Sequence, residues 1–455
     1  MTVERTTRRR VSMLLLGACL LVLTVAMTQA QQPPIDTRGQ GQAQDEAFAR
    51  LYKEWTGDGK YGSPLVDHLP LVKGVPTPKD VLGYHIGAPR KLTYHADILK
   101  YYRALAAATP RVKVETVGRS DEGREMVVVW VTSEQNMKAL QANRDQLAKI
   151  ADPRGLSETA IRRLISTTKP NYHVIGGLHS GETGPSEMLM ELVYRLATET
   201  SPIITQIRNN VYVSVTPVAD ADGRDRYVDW FYQGLETAVP PATLPATVTP
   251  PSGDATREAE PGRGGERAAQ AGGQGGSPTA GQRGGPGASM AVPYWGKYVF
   301  HDNNRDINLS LVQVRTLTDW FFTAHPPVMH DLHESMALMY TYSGGPPQNP
   351  NLDPLLFAEL PWFSNWELAQ MTKWGMPGVY THAFMDGWSP GYYASVAYNH
   401  NALMKMYETQ SGRDPGTPAA TSAPRGTIPG APAAQPAPAQ TGGTSAAPQD
   451  RKSVV

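Results

Sequence analysis

The stretch GGLHSGETGPSE, residues 176–187, decides the fold and places its chemistry. It overlaps YHVIGG (172–177), an apolar run bounded by glycine, which is typical of a buried strand. After it, SEMLMELVYRLATE (186–199) has apolar residues at helical spacing, with a Gly-Pro pair just before its start. His179 and Glu182 therefore lie where a strand ends and a helix begins, the place where open α/β sheets bind ligands. Both side chains can bind a metal ion; a surface histidine beside a helix-capping glutamate is the alternative.

The N-terminal residues have the pattern of an export signal. Residues 1–30 combine four arginines, an apolar run and a small-residue end at Thr28-Gln29-Ala30. A retained membrane anchor is the alternative, but the apolar run is short for a bilayer span. Cys19 lies in this run with more apolar residues after it, which argues against a lipoprotein anchor. We expect an exported protein, periplasmic or extracellular, without a stable membrane span after signal removal.

Composition excludes several classes of function. The chain of 455 residues has 42 basic residues, 42 acidic residues and one cysteine. Losing residues 1–30 removes four arginines, one glutamate and that cysteine, so the net charge becomes about −3. Disulfides, thiolate catalysis and cysteine-rich zinc sites are then impossible. With no basic, aromatic stripe, we expect no nucleic-acid partner.

Three segments rich in Pro, Gly, Ala or Gln lack an apolar period and are expected not to fold by themselves: residues 31–46, 236–291 and 411–455. We expect the second and the third to be disordered. We therefore predict an N-terminal extension over 31–75 and a catalytic domain over 76–410. The segment 236–291 is interpreted as an insertion within that domain, because regular patterns resume after it.

The rest of the domain alternates between helical and strand patterns. A helix is predicted over 96–110, and strands are predicted over 112–118, 125–133, 209–220, 325–335 and 398–410. This alternation predicts an α/β fold with a mixed, mostly parallel central sheet flanked by helices.

A third metal ligand is expected on the strand VMHDLHESM, residues 328–336. His333 lies near its polar end, with Asp331 two residues before it, and His330 and His325 are competitors. Alternation along a strand places Asp331 and His333 on one face and His330 on the other. A catalytic zinc ion commonly has three protein ligands and one open position.

These motifs together resemble the zinc metallocarboxypeptidases, the carboxypeptidase A-like family. The features that carry the resemblance occur in the family's order: GRSDEGREM (118–126), HSGE (179–182), TPVADADGRD (216–225), DNNRDIN (302–308), the strand-borne His333 and YNHNALMKMYETQ (398–410).

The resemblance implies one bound Zn²⁺ and a substrate with a free C-terminus, that is, peptide or protein C-termini. It implies that the metal ligands are His179, Glu182 and His333, that Asn304 and Arg305 hold the terminal carboxylate, and that Glu408 is the catalytic base. The planar fork of an arginine suits a carboxylate, and a carboxylate beside a metal-bound water can accept its proton.

Other family features have no assigned residue in this chain. The arginine that stabilises the oxyanion in family members is not assigned to a residue, since only Arg224 and Arg226 follow the Asp-Gly loop before the insertion. The tyrosine that closes over the substrate is equally open among Tyr392, Tyr393 and Tyr398. Family members add a helix after the catalytic strand, whereas residues 411–455 have no helical period, which is consistent with a truncated relative.

Three functions are therefore compared. The first is an exported zinc carboxypeptidase. The second is a zinc amidohydrolase or deacylase on the same fold, which also uses substrates with a free carboxylate. The third is a truncated pseudoenzyme that only binds peptides.

Overall fold

A computed structural model describes residues 37–57, 59, 62–237, 301–334, 339–376, 378–382, 385–388, 391–393 and 395–409. The predicted signal (1–30), nearly all of the predicted insertion (236–291) and the predicted tail (411–455) lie outside the described residues. Those expectations, and the domain boundaries built on them, stay predictions.

The described strands and helices alternate along much of the chain. The strands are β1 (Val112–Arg119), β2 (Glu125–Val131), β3 (Asn171–Ile175), β4 (Tyr212–Thr216), β5 (Val328–Glu334), β6 (Met339–Thr341), β7 (Gly345–Gln348), β8 (Val379–Tyr380), β9 (Asp386–Gly387) and β10 (Leu403–Thr409). The α-helices are α1 (Glu46–Thr56), α2 (Pro78–Leu82), α3 (His95–Ala108), α4 (Glu134–Lys138), α5 (Leu140–Ala151), α6 (Glu158–Thr167), α7 (Thr183–Thr198), α8 (Pro202–Asn210), α9 (Ala221–Thr237), α10 (Val312–Ala324), α11 (Pro354–Lys373) and α12 (Ser395–Tyr398).

One sheet of eight strands organises the domain, in the order β1-β2-β4-β3-β5-β10-β6-β8. Its centre is parallel, since β4, β3, β5 and β10 all run in one direction. Antiparallel pairs join β1 to β2, β2 to β4, and β10 to β6. The predicted mixed, mostly parallel α/β fold is confirmed.

Helices cover both faces of this sheet. On one face, apolar residues of α3 and α7, such as Tyr102 and Val193, pack against Val129 of β2. On the other face, Trp320 of α10 packs in a cluster with Trp130. The alternation of β2 residues between the two clusters follows from the two-residue period of a strand. Each large apolar side chain buried in this way contributes about 1.5–3 kcal/mol.

Most predicted elements occur with shifted ends. The strand expected over 209–220 is limited to Tyr212–Thr216, because residues up to Asn210 end helix α8. The helix expected from 186 begins earlier, at Thr183, with its Gly-Pro pair inside the first turn.

The chain before residue 76 contributes to the main core. Phe48 of α1 and Leu69 are buried in the same cluster as α3 and α7. The side chain of Gln42 donates a hydrogen bond of 2.9 Å to the carbonyl of Thr198, at the end of α7. Within the described ranges, none of the helices combines the length and apolarity that a bilayer span requires.

Candidate functional site

The turn after β3 positions His179 and Glu182. Gly177 in this turn has a φ of +65°, and a Cβ there would lie 2.6 Å from the hydroxyl of Ser186. A glycine is therefore needed for the chain to leave the strand and approach α7 so closely. Two backbone hydrogen bonds from Ala219 and Asp220 to the turn hold it against the loop that follows β4.

His179, Glu182 and His333 come together at the carboxyl end of the parallel strands. All three are buried, and one potential ligand atom of each lies within 4.8 Å of the others. The Nδ1 atom of His179 is 2.7 Å from one carboxylate oxygen of Glu182, and the Nδ1 atom of His333 is 2.9 Å from the other oxygen. The same nitrogen of each imidazole therefore faces the shared carboxylate.

The charges in this cluster stabilise one another. Burial disfavours the charged form of His179, but Glu182 and Asp302 outweigh that effect and raise its pKa to about 9. Burial likewise opposes the charge on His333, yet Asp331 and Glu182 raise its pKa well above the usual value. The two histidines in turn hold the pKa of Glu182 well below its usual range, against the effect of burial.

Asp302 is a member of the site that the sequence analysis did not assign. Its carboxylate lies 2.8 Å from the Nε2 atom of His179, and although burial opposes it, this contact lowers the pKa of Asp302 to about 2. A carboxylate that contacts the ring nitrogen not facing the metal is typical of metal-bound imidazoles. The signal available in the sequence was its place in DNNRDIN, but nothing local connects residue 302 to residue 179.

The competing histidines lie elsewhere. The Nδ1 atom of His330 is 2.8 Å from the hydroxyl of Tyr172, and its ring packs edge-on against Tyr407. These contacts agree with the alternation of β5, which turns His330 away from His333. His325 forms the C-terminal cap of α10. Neither histidine is part of the cluster.

Asn304 and Arg305 lie in a short 3₁₀ turn beside the cluster. The amide nitrogen of Asn304 is 3.1 Å from the Nε2 atom of His333, and its amide oxygen accepts a hydrogen bond of 2.7 Å from the backbone of Tyr393. The guanidinium of Arg305 lies 4.3 Å from the ring centre of Tyr392 and donates to the carbonyl of Asn304. The cation is therefore backed by an aromatic face.

This contact distinguishes the three tyrosines that the sequence left open. Tyr392 is half-buried and stacks on Arg305, whereas Tyr393 is buried in the apolar cluster beneath. The hydroxyl of Tyr398 lies at 3.5 Å from the carbonyl of Met404. Tyr392 is thus the tyrosine of the three that adjoins Arg305.

Glu408 is aligned by the sheet with His333, the third candidate ligand. It is the register partner of His333 in the parallel pair β5 and β10, and it is half-buried. Partners in register project from the same face of a sheet, so the Glu408 side chain shares the face of His333. Burial is the main cause that raises the pKa of Tyr392. Arg305 lowers this pKa, whereas Asp386 and Glu408 raise it further.

The two arginines after the Asp-Gly loop have other partners. Arg224 is buried, forms an ion pair with Glu187 and donates to the carbonyls of Thr93 and Thr183. Arg226 forms an ion pair with Glu122 at the surface. Through Glu187 and the carbonyl of Thr183, Arg224 stabilises the first turn of α7. Its contacts therefore have a structural role.

The donor set fits a zinc ion. Two imidazole nitrogens and a carboxylate are the protein ligands of a His₂Glu zinc site, and such a site keeps one position for water or substrate. The carboxylate behind His179 completes the arrangement that orients a metal-bound histidine. A buried cluster that could hold a metal ion, with a half-buried glutamate and an arginine nearby, has the groups needed to hydrolyse a bond next to a carboxylate.

The fold and this cluster define an α/β protein with a candidate metallohydrolase site. A family model described as zinc carboxypeptidase matches residues 98–233 and confirms the resemblance read from the motifs. The matched range contains His179 and Glu182, whereas His333, Arg305 and Glu408 lie beyond it. No curated protein matches the sequence.

Solved metallo-carboxypeptidases resemble this structure at low sequence identity. The enzyme from Burkholderia cenocepacia is 13% identical with a TM-score of 0.40, over 70% of this chain and 59% of that one. Carboxypeptidase A from Helicoverpa armigera is 14% identical with a TM-score of 0.41, over 73% and 70%. A Pseudomonas aeruginosa metallo-carboxypeptidase, solved with (2-guanidinoethylmercapto)succinic acid, is 12% identical with a TM-score of 0.40, over 70% and 59%. This chain thus spans about three fifths of the two bacterial proteins.

Proposed function

We propose that this protein is an exported, zinc-dependent carboxypeptidase that hydrolyses the C-terminal peptide bond of peptides or proteins. The observation that carries the proposal is that potential ligand atoms of His179, Glu182 and His333 lie within 4.8 Å of one another. His333 is also the register partner of Glu408 in the pair β5 and β10. The basic and apolar pattern of residues 1–30 supports export.

Each of the site residues has a distinct role in the proposed reaction. His179, Glu182 and His333 hold one zinc ion, which when bound lowers the pKa of a water molecule and polarises the substrate carbonyl. Glu408 accepts the proton of the attacking water and returns it to the leaving amine. Asp302 keeps the ring of His179 oriented through the 2.8 Å contact with its Nε2 atom.

Arg305 and Asn304 bind the terminal carboxylate of the substrate. The guanidinium offers two parallel hydrogen bonds to a carboxylate, and the Tyr392 ring restricts its orientation. The amide of Asn304 is held by Tyr393 and by His333, so the turn that carries Arg305 is fixed relative to the metal ligands. A substrate anchored there would place its last peptide bond near the ligands.

The test compares peptides with free and amidated C-termini on zinc-loaded, purified protein. The proposal predicts hydrolysis of the free peptides and little of the amidated ones. Equal cleavage of both would overturn it, since the carboxylate would then have no role. Cleavage of N-acylated amino acids alone would favour the amidohydrolase. A folded, zinc-loaded protein that binds peptides without cleaving any of them would identify the pseudoenzyme.

A further inference from the structure

Helix α11 presents an apolar side to solvent. Its inner side packs on the sheet, where Leu360 and Ser364 are buried and Glu367 forms an ion pair of 2.8 Å with Lys405 of β10. The outer side carries three large apolar side chains with exposed fractions of 67%, 62% and 55%, namely Leu355, Trp362 and Trp366. A helix that packs on one core normally keeps polar residues on its outer side, so this pattern is unusual.

The three exposed side chains form one continuous row. Trp362 follows Leu355 by seven residues and Trp366 follows Trp362 by four, which places all three on the same side of a helix. Their exposed parts amount to apolar surface on the order of 400 Å². Single exposed apolar side chains are common, whereas a contiguous patch of this size is typical of a contact surface.

The outer side of α11 also carries one charge towards each end. Glu359 lies in the second turn and Lys373 is the last residue of the helix, and both are exposed. The only other charged residue of this helix, Glu367, faces the sheet. In a parallel pair of two such helices each charge would lie opposite its own kind, whereas in an antiparallel pair each glutamate lies opposite a lysine.

The antiparallel alignment also matches large side chains with small ones. With Glu359 of one copy opposite Lys373 of the other, Trp366 lies at the two-fold axis and contacts Trp366 of the second copy. Each Trp362 then lies beside the exposed, small Ala369 of the other copy. The outer side of α11 is therefore complementary to itself in shape and in charge, as a two-fold interface requires.

We propose that α11 is the contact surface of a homodimer, in which two copies of the chain pair this helix antiparallel about a two-fold axis. Burial of the tryptophans supplies most of the binding free energy, and the exposed charge pairs fix the direction of the helices. The apolar row is about half of the roughly 800 Å² per partner that a standard interface buries, so a moderate, micromolar affinity is expected. The pairing requires neither zinc nor catalysis.

The first test follows the mass of the purified protein by sedimentation velocity between about 1 and 100 μM, a range that brackets a micromolar affinity. The wild type should pass from one chain to two. Trp362→Glu puts a charge into the apolar contact and should weaken dimerisation at least about 100-fold. Because Trp362 is exposed, this variant should keep its circular dichroism spectrum and Tm. Ile165→Glu is the control: Ile165 on α6 is 61% exposed, and its replacement should leave the dimer unchanged.

Charge reversal tests the direction of the helices. Glu359→Lys should weaken dimerisation about 10-fold, because both symmetry-related pairs then become repulsive. The double variant with Glu359→Lys and Lys373→Glu should restore the wild-type affinity. A parallel pair would behave differently, since Glu359→Lys would only exchange one like-charged contact for another.

Three results would overturn the proposed homodimer. The first is a wild type that stays monomeric at about 100 μM. The second is a dimer that Trp362→Glu leaves intact, because α11 would then lie outside the contact. The third is a dimer whose affinity Glu359→Lys leaves unchanged, because the two helices would then not be antiparallel.

Discussion

Residues 98–233 and residues 301–409 contribute to the same site by different means. The earlier region supplies His179 and Glu182 from one turn after β3, and it is the region that the zinc carboxypeptidase model matches. The later region supplies His333 and Glu408 from neighbouring strands, together with Arg305 from a separate turn. The positions of candidate ligands in a turn are set by local sequence, whereas the positions of groups on strands are set by register.

The strongest test of the shared site is to remove one ligand from each region. His179→Ala and His333→Ala should each abolish stoichiometric zinc, because three protein ligands are needed for a site with one open position. The measurement is zinc content of the folded protein by mass spectrometry. His330→Ala is the matched control, since His330 contacts Tyr172 on the other face. If His330→Ala lost zinc and His333→Ala retained it, the third ligand would be His330 and not His333.

The later region alone should carry the proton transfer. Glu408→Gln keeps the size of the side chain and cannot accept a proton, so turnover should fall by about 10²–10⁴-fold with zinc retained. Glu367→Gln is the control; Glu367 pairs with Lys405 of the same strand at 2.8 Å, and its replacement should leave turnover unchanged. Full activity of Glu408→Gln would remove this residue from the mechanism.

Metal uptake should depend steeply on pH through one histidine from each region. With the pKa of His179 raised to about 9 and that of His333 also raised, both rings are protonated in the metal-free protein at pH 7. Zinc binding must then displace a proton from each ring, so apparent affinity should rise with pH, by about 10-fold per pH unit for each ring that is still protonated. Titration calorimetry in buffers of different ionisation enthalpy counts these protons. Release of fewer than one would contradict the charge state derived from the cluster.

A smaller effect is expected when Arg305, the proposed substrate anchor, is changed. Arg305→Ala should raise KM for free C-terminal peptides by about 10- to 100-fold, since it removes hydrogen bonds to a charged group. Amidated peptides should be unaffected, and Arg305→Lys should fall between the two because it keeps the charge without the fork. A uniform loss across all peptides would show that Arg305 supports the fold of its turn.

The smallest effect is expected where the two regions are joined in sequence. Deleting residues 240–290 should leave zinc content and KM unchanged, since the composition of this segment predicts no part in the chemistry. Each halving of a flexible connection changes its closure free energy by only about 0.6 kcal/mol. Chemical denaturation of the zinc-loaded protein would measure the change, and failure to fold would show that the segment packs.

The parts of the site that follow from local pattern were predictable from the sequence. The turn that holds His179 and Glu182 lies between a readable strand and a readable helix, and alternation alone separated His333 from His330. Asp302 was not assigned because its partner is residue 179, a contact across 123 positions that no local pattern encodes. The choice of Tyr392 among three tyrosines likewise needed the contact with Arg305.

The order of the strands is the other part that the sequence did not contain. Alternation of helices and strands predicted a mixed sheet, but not that β10 inserts between β5 and β6. That insertion is non-local, because β10 follows β5 only after the chain has formed β6, β8 and helix α11. It is also what brings Glu408 beside His333, so a strand prediction alone could place the glutamate in the sequence but not in the site.

The pairing of β5 with β10 has a consequence for which changes in length the protein can tolerate. Glu408 is opposite His333 because the hydrogen-bond ladder starts at Leu403 opposite Val328 and continues without a break. One residue added or lost between Leu403 and Glu408 would turn the carboxylate to the opposite face. A change of any length between Glu334 and Leu403 leaves that alignment intact, provided the strands still pair. The register therefore leaves the length of the connecting chain free, although Tyr392 and Tyr393 within it hold Arg305 and Asn304, whereas the stretch from Leu403 to Glu408 has a fixed length.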